Sequence, residues 1–139
     1  MAIYFSNNDI VFSLKSKTKL KLWITAAVKK EKLGIGNLNY IFTSDASLLK
    51  INIEYLKHNT YTDIITFNYN EDKKISGDIF ISIDRVKENA DKFNVDFMEE
   101  LHRVMIHGVL HLCGYKDKTK KDSELMRKKE NQSLRNLSL

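Results

Sequence analysis

Apolar positions recur with two different periods along this chain, and the changes of period mark its elements. Between Ser16 and Lys32, the apolar residues Leu20, Trp23, Ile24, Ala27 and Val28 fall three and four apart with lysines opposite, which predicts an amphipathic helix. Ile3-Tyr4-Phe5 before it reads as a short opening strand, and Gly34-Ile35-Gly36 after it as a turn into a strand from Leu38 to Phe42. Ser44 and Asp45 suit the start of a helix carrying Leu48, Leu49, Ile51, Ile53 and Leu56. Asp63 to Tyr69 and Gly77 to Ile83 read as strands joined by a polar, hairpin-like loop over Asn70 to Lys74. From Asp84 to about Phe93 the pattern is helical. A second helix runs from Asp96 to Leu112 with Phe97, Leu101, Val104, Met105 and Leu112 as apolar positions, and a highly charged helix runs from Lys120 to Leu134. Strands early and helices mostly late predict an α+β fold, a mixed sheet of about four strands packed with about five helices.

Nothing in the composition divides the chain. It has 139 residues, no proline and no low-complexity stretch, so one domain over 1–139 is expected, large enough for its own core. Apolar residues at 42% and charged residues at 29% favour a globular chain over a disordered one. The single cysteine, Cys113, excludes a disulfide framework and fits a reducing compartment, where no disulfide-linked partner is expected. It reads as a packing residue, with metal ligation as the alternative. No run is long enough to span a membrane, and the first residues lack the pattern of a signal peptide, so a cytoplasmic location is expected. The net charge of +5, concentrated from Lys15 to Lys32 and from Lys116 to Lys129, is compatible with a nucleic-acid partner, although solvated helix faces account equally for each lysine.

The chemistry is concentrated in His107-Gly108-Val109-Leu110-His111-Leu112-Cys113-Gly114-Tyr115-Lys116-Asp117. Histidines four apart on a helix project from one face, about 6 Å apart along the axis, and can converge on one divalent cation. Gly114 suits a left-handed helix stop, after which the chain can bring Asp117 back as a third ligand. Two nitrogens and one oxygen with a position left open describe a catalytic ion better than a structural one, and one Zn2+ per chain is expected. The alternative is a capped helix whose histidines bond to backbone. Gly108 stands where metallopeptidases of the H-E-x-x-H kind carry their glutamate base, which argues against peptide hydrolysis. His102 points about 140° away from His107 and reads as surface or packing.

Together with Leu49-x-x-Asn52-x-x-Tyr55, Thr62-Asp63-Ile64-Ile65-Thr66-Phe67 and Gly77-Asp78-Ile79, the histidine motif resembles the YbeY family, bacterial metal-dependent endoribonucleases of ribosomal RNA maturation. Met126 and Glu130 also match positions where that family tends to have a methionine and an acidic residue. The resemblance implies a single-strand-preferring endoribonuclease acting at the 3′ end of small-subunit ribosomal RNA and in ribosome quality control. Its partners would be ribosomal RNA and the small ribosomal subunit, with no membrane. Two positions depart from the family pattern. Lys116-Asp117 replaces the usual Asp-His, so the third-ligand slot falls on a carboxylate, an acceptable zinc donor. Leu56 replaces the usual arginine after the tyrosine, removing a bidentate phosphate clamp.

In that chemistry His107, His111 and Asp117 hold the ion, which lowers the pKa of bound water and polarises a phosphoryl oxygen. Lys57 and His58 are candidates for positive charge toward the substrate, and His58 for an acid or base. Asp63 and Asp78 are read as capping or turn residues. With neither an aromatic RNA-reading pattern nor a glycine-rich phosphate loop, lysine–phosphate contacts would supply affinity. Two other functions remain open: a metal-dependent hydrolase of another substrate, such as a peptide, and a non-enzymatic ribosome-binding module with a weakened site.

Overall fold

The computed structural model describes residues 2–138. In chain order the elements are β1 (Ala2–Asn7), α1 (Lys17–Lys30), β2 (Gly34–Thr43), α2 (Asp45–Leu56), β3 (Ile64–Asn68), β4 (Lys74–Ser82), α3 (Ile83–Phe93), α4 (Phe97–Leu112) and α5 (Lys120–Arg135). The strands form one sheet in the order β1-β2-β4-β3, with β1, β2 and β4 parallel and β3 antiparallel to β4. The α+β class, the mixed four-stranded sheet and the five helices are as the sequence predicts.

Side chains alternate across the pleat, so Leu38, Tyr40 and Phe42 of β2 and Ile75, Ile79 and Ile81 of β4 point to one face, where they are buried. That face receives α4, whose Leu101, Val104, Met105, Ile106 and Val109 are buried against it. Each such side chain contributes roughly 1.5–3 kcal/mol on leaving water. The Tyr40 hydroxyl donates to the Met105 carbonyl at 2.9 Å, pinning the helix to the sheet's centre. The close approach depends on Gly108. A Cβ there would stand 2.9 Å from Ile64 Cδ1 and 3.0 Å from Ile79 Cγ2.

Five boundaries and the burial of one helix differ from the sequence reading. Gly34-Ile35-Gly36 lies inside β2, where the pairing with β4 shifts register between Ile35 and Leu38, and the reversal falls just before it, at Lys32 with φ 62°. β3 begins after Asp63 and ends before Tyr69. β4 begins at Lys74, and Ile83 opens α3 behind an N-cap at Ser82, whose hydroxyl accepts from Arg85 N. In α2 only Leu48 of the five apolar positions is buried, and Ile53 and Leu56 are exposed, because this helix crosses one end of the sheet's second face.

Candidate metal centre

Helix α4 is apolar around most of its surface, but Glu100, Arg103, His107 and His111 follow each other at steps of three and four. Helical geometry turns those residues into one polar stripe. The helix stops in a Schellman motif: Tyr115 N donates to Leu110 O at 3.1 Å, Gly114 N donates to His111 O at 3.0 Å, and Gly114 has φ 109°. The chain folds back over the end of α4, and the Asp117 carbonyl accepts from Ser123 Oγ at 3.1 Å. Thr119 then caps α5, its hydroxyl accepting from Asp122 N at 3.0 Å.

This reversal brings together the three residues that the spacing singles out. Asp117 Oδ2 lies 3.3 Å from His107 Nε2 and 3.4 Å from His111 Nε2. The two rings are nearly perpendicular at 82°, and one donor atom from each of the three residues lies within 4.8 Å of the others. Donors held about 2.0–2.1 Å from a tetrahedral zinc stand about 3.3–3.4 Å apart. The two nitrogen–oxygen separations have that length, longer than a charge-assisted hydrogen bond of about 2.7–2.9 Å. The donor set fits a small divalent cation. Asp117 is 43% exposed in its side chain, which leaves one side of the cluster open.

Glu130 of α5 completes the support. It is buried, with Oε2 2.6 Å from His107 Nδ1 and Oε1 3.0 Å from the Arg103 guanidinium. Burial alone would raise the Glu130 carboxyl, but the hydrogen bonds from His107 and Arg103 and the charges of His107 and Arg127 outweigh it and hold it below its ordinary value. Burial disfavours a charged His107, and the Glu130 hydrogen bond and charge, aided by Asp117 and Asp63, reverse that and raise it. An ionised Glu130 accepts a hydrogen bond from Nδ1–H of His107, and in the neutral ring this tautomer leaves the Nε2 lone pair directed at Asp117 and His111.

The sequence reading noted Glu130 only as a family position and did not single out Arg103, Glu100 or Arg127. The signal available was the polar stripe on α4, together with Met126 and Glu130, the two buried residues of a charged helix, spaced four apart. Asp63, read as a turn residue, lines the cavity beside His107, and burial pushes its carboxyl up against the pull of that imidazole. Asp78 bonds within the sheet, accepting from Asn39 Nδ2 at 3.0 Å. Lys57 and His58 are exposed at the end of α2 and do not line this cavity. Lys57 is the left-handed C-cap, and His58 N donates to Asn52 O. Asn52 also donates through Nδ2 to Thr60 O at 2.8 Å, so the motif asparagine ties down the loop. His102 is buried against Trp23, and Cys113 packs on the core edge with its thiol pushed by burial to about 12. Gly108 faces Ile64 and Ile79, so the peptidase glutamate would collide with the sheet.

A family model described as Endoribonuclease YbeY matches residues 3–138. A relative in Cytophaga hutchinsonii, described as Endoribonuclease YbeY, is 53% identical over 95% of this chain and 93% of its own length. One in Flavobacterium johnsoniae with the same description is 51% identical over 92% of both. The solution structure of TM1509 from Thermotoga maritima superposes with a TM-score of 0.68 at 29% identity, covering 98% of this chain and 89% of that one. No helix among the described residues is long and apolar enough to cross a membrane.

Proposed function

This chain belongs to the Endoribonuclease YbeY family, and we propose that it is a metal-dependent endoribonuclease cutting single-stranded ribosomal RNA at an ion held by His107, His111 and Asp117. The whole of 1–139 acts as one domain in this reading, with RNA in the small ribosomal subunit as partner and the cytoplasm as location. Within that role its concrete tasks are maturation of the 3′ end of small-subunit RNA and ribosome quality control. The carrying observation is the convergence of two imidazole nitrogens on one carboxylate oxygen at 3.3 and 3.4 Å.

Zn2+, one per chain, is the ion the donor set suits, and such an ion activates water and polarises a phosphoryl oxygen. The chain's own residues prepare the centre. Glu130 holds the Nδ1 proton of His107 and so fixes the ring's orientation, and Arg103 holds Glu130. Arg127, its side chain 59% exposed at the cavity rim, supplies the planar fork for a phosphate that Leu56 cannot. Lys57 and His58 stand outside the cavity, and in this reading their part is contact with the RNA backbone.

Metal analysis and cleavage together test this reading. Wild type should contain about one zinc per chain and cut single-stranded RNA, and a chelator should abolish the cutting. Asp117→Ala should lose metal, and Asp117→His should keep it. Equal metal content in wild type and Asp117→Ala removes Asp117 from the set, and RNA left intact by metal-loaded wild type refutes the activity.

A further inference from the structure

Beside His107, between α3, α4 and α5, is a cavity of about 360 Å³ with an unexplained carboxyl in its wall. Glu100 is 6% exposed, yet its side chain makes no hydrogen bond or ion pair among the described residues. Glu130, equally buried, is engaged at both oxygens. Arg85 Nε and His102 Nε2 are the enclosed side-chain atoms without a partner among the described residues, so the Glu100 oxygens open on the cavity instead, where a ligand's donors can reach them. Burial and the nearby Asp63 carboxylate push the Glu100 carboxyl up, against the pull of Arg103, the sense expected of an acceptor lacking donors.

Around this carboxyl the cavity offers what an unstacked base requires. Phe93, 55% exposed, presents a ring at the rim, and Asn89, one turn earlier on α3, presents an amide. Arg127 reaches the same rim. The volume lies near the lower end of the roughly 300–1,000 Å³ typical of small-ligand sites, room for one base.

We propose that this cavity is a nucleobase subsite that takes a guanine next to the cleaved phosphodiester, with Glu100 reading its Watson–Crick edge. The proposal rests on the endoribonuclease reading and names its sequence preference. A carboxylate presents two acceptors side by side. Guanine alone among the four RNA bases presents two adjacent donors on that edge, N1–H and the N2 amino group. Adenine and cytosine set one donor beside an acceptor, and uracil sets one donor between two acceptors. Phe93 stacks on the base, Asn89 donates to O6, and Arg127 holds the adjoining phosphate. Single-stranded RNA is commonly read in this way, by stacking on an aromatic ring and hydrogen bonding to base edges.

The test uses the zinc-loaded full chain and single-stranded RNA oligonucleotides that differ at one base, on either side of the cut in turn. The bases compared are guanine, hypoxanthine (guanine without its N2 amino group), adenine, cytosine and uracil. Guanine should exceed adenine in kcat/KM by about ten- to hundredfold, as a good bidentate pair allows, and hypoxanthine should lose most of that advantage. Glu100→Gln should bring the guanine-to-adenine ratio close to one while thermal stability stays level or rises, because the Glu100 side chain has no protein partner to lose. Binding of GMP, IMP and AMP to the same proteins, followed by NMR, gives a readout independent of cleavage. Equal wild-type binding of GMP and IMP, a preference for adenine or cytosine, or a Glu100→Gln protein that is less stable with its guanine preference intact overturns the proposal. Absence of all cleavage overturns the endoribonuclease reading instead, and GMP against IMP binding then decides the subsite alone.

Discussion

Glu130→Gln isolates the support beneath the proposed metal centre, since it keeps the side chain's shape and removes its charge. In the wild type one carboxylate accepts from His107 Nδ1 at 2.6 Å and pairs with Arg103 at 3.0 Å. An amide has one oxygen to offer, so either the imidazole or the guanidinium goes unmet. Breaking a fully buried pair costs about 3–5 kcal/mol. Arg103 keeps 19% of its side chain exposed, which brings the figure down to about 2–3 kcal/mol. For a chain of this size that is on the order of 6–12 °C in Tm of the ion-free protein. The second consequence falls on the ion. Loss of the partner that fixes a ligating histidine typically costs 10–100-fold in affinity. Titration of both proteins with zinc against a chromophoric chelator measures it, alongside thermal unfolding in EDTA. Unchanged zinc affinity together with lowered stability would refute the claim that Glu130 sets the donor state of His107 and leave it a purely structural residue.

Three further perturbations bear on the scaffold. Gly108→Ala should destabilise by up to about 2 kcal/mol, since overpacking costs about 1–3 kcal/mol against about 1 kcal/mol gained in helix propensity; denaturant unfolding checks it, and a more stable variant would show that Ile64 and Ile79 yield. His102 is buried with Nε2 unpartnered, and burial lowers its pKa. The unfolded chain then takes up that proton first, so wild type should lose stability as pH falls through about 6.5, and His102→Phe should flatten that slope in unfolding measured from pH 8 to 5. Asp9 is held at about 2, chiefly by the Ser44 and Ser47 hydroxyls at the start of α2. Its stabilisation is present above pH 4 and lost as pH falls toward 2, and its exposure limits it to about 1 kcal/mol. Asp9→Asn should remove that acid-dependent part, and identical acid unfolding of the two proteins would rule it out.

Periodicity, caps and turn residues located the nine elements of the described residues, because a change of period or a turn signal separates most neighbours. Boundaries failed where neighbours overrode local preference. Gly34 and Gly36 look like a turn in isolation, yet pairing with β4 makes them strand. The three proposed ligands were legible because they lie within one helical turn and one reversal of each other. Glu130 was not, because it reaches His107 from a different helix, 23 residues on. Spacing within one element cannot show which side chain of another element will meet it. Glu100 shows the same limit from the other side: a glutamate near the start of α4 suggests solvent, and only the packing of α3 and α5 encloses it.

The brevity of the segment between His107 and Asp117 has a thermodynamic corollary. An ion bridging positions ten residues apart closes a small loop, so its removal returns little chain entropy. What keeps α5 on α4 is instead the burial of Met126 and the pairing of buried Glu130 with Arg103 and His107 of α4. The chelated protein should therefore stay folded, with slackening confined to the stretch from Cys113 to Thr119. On the proposed metal reading, the ion can be lost and reloaded repeatedly while the scaffold persists between one loading and the next.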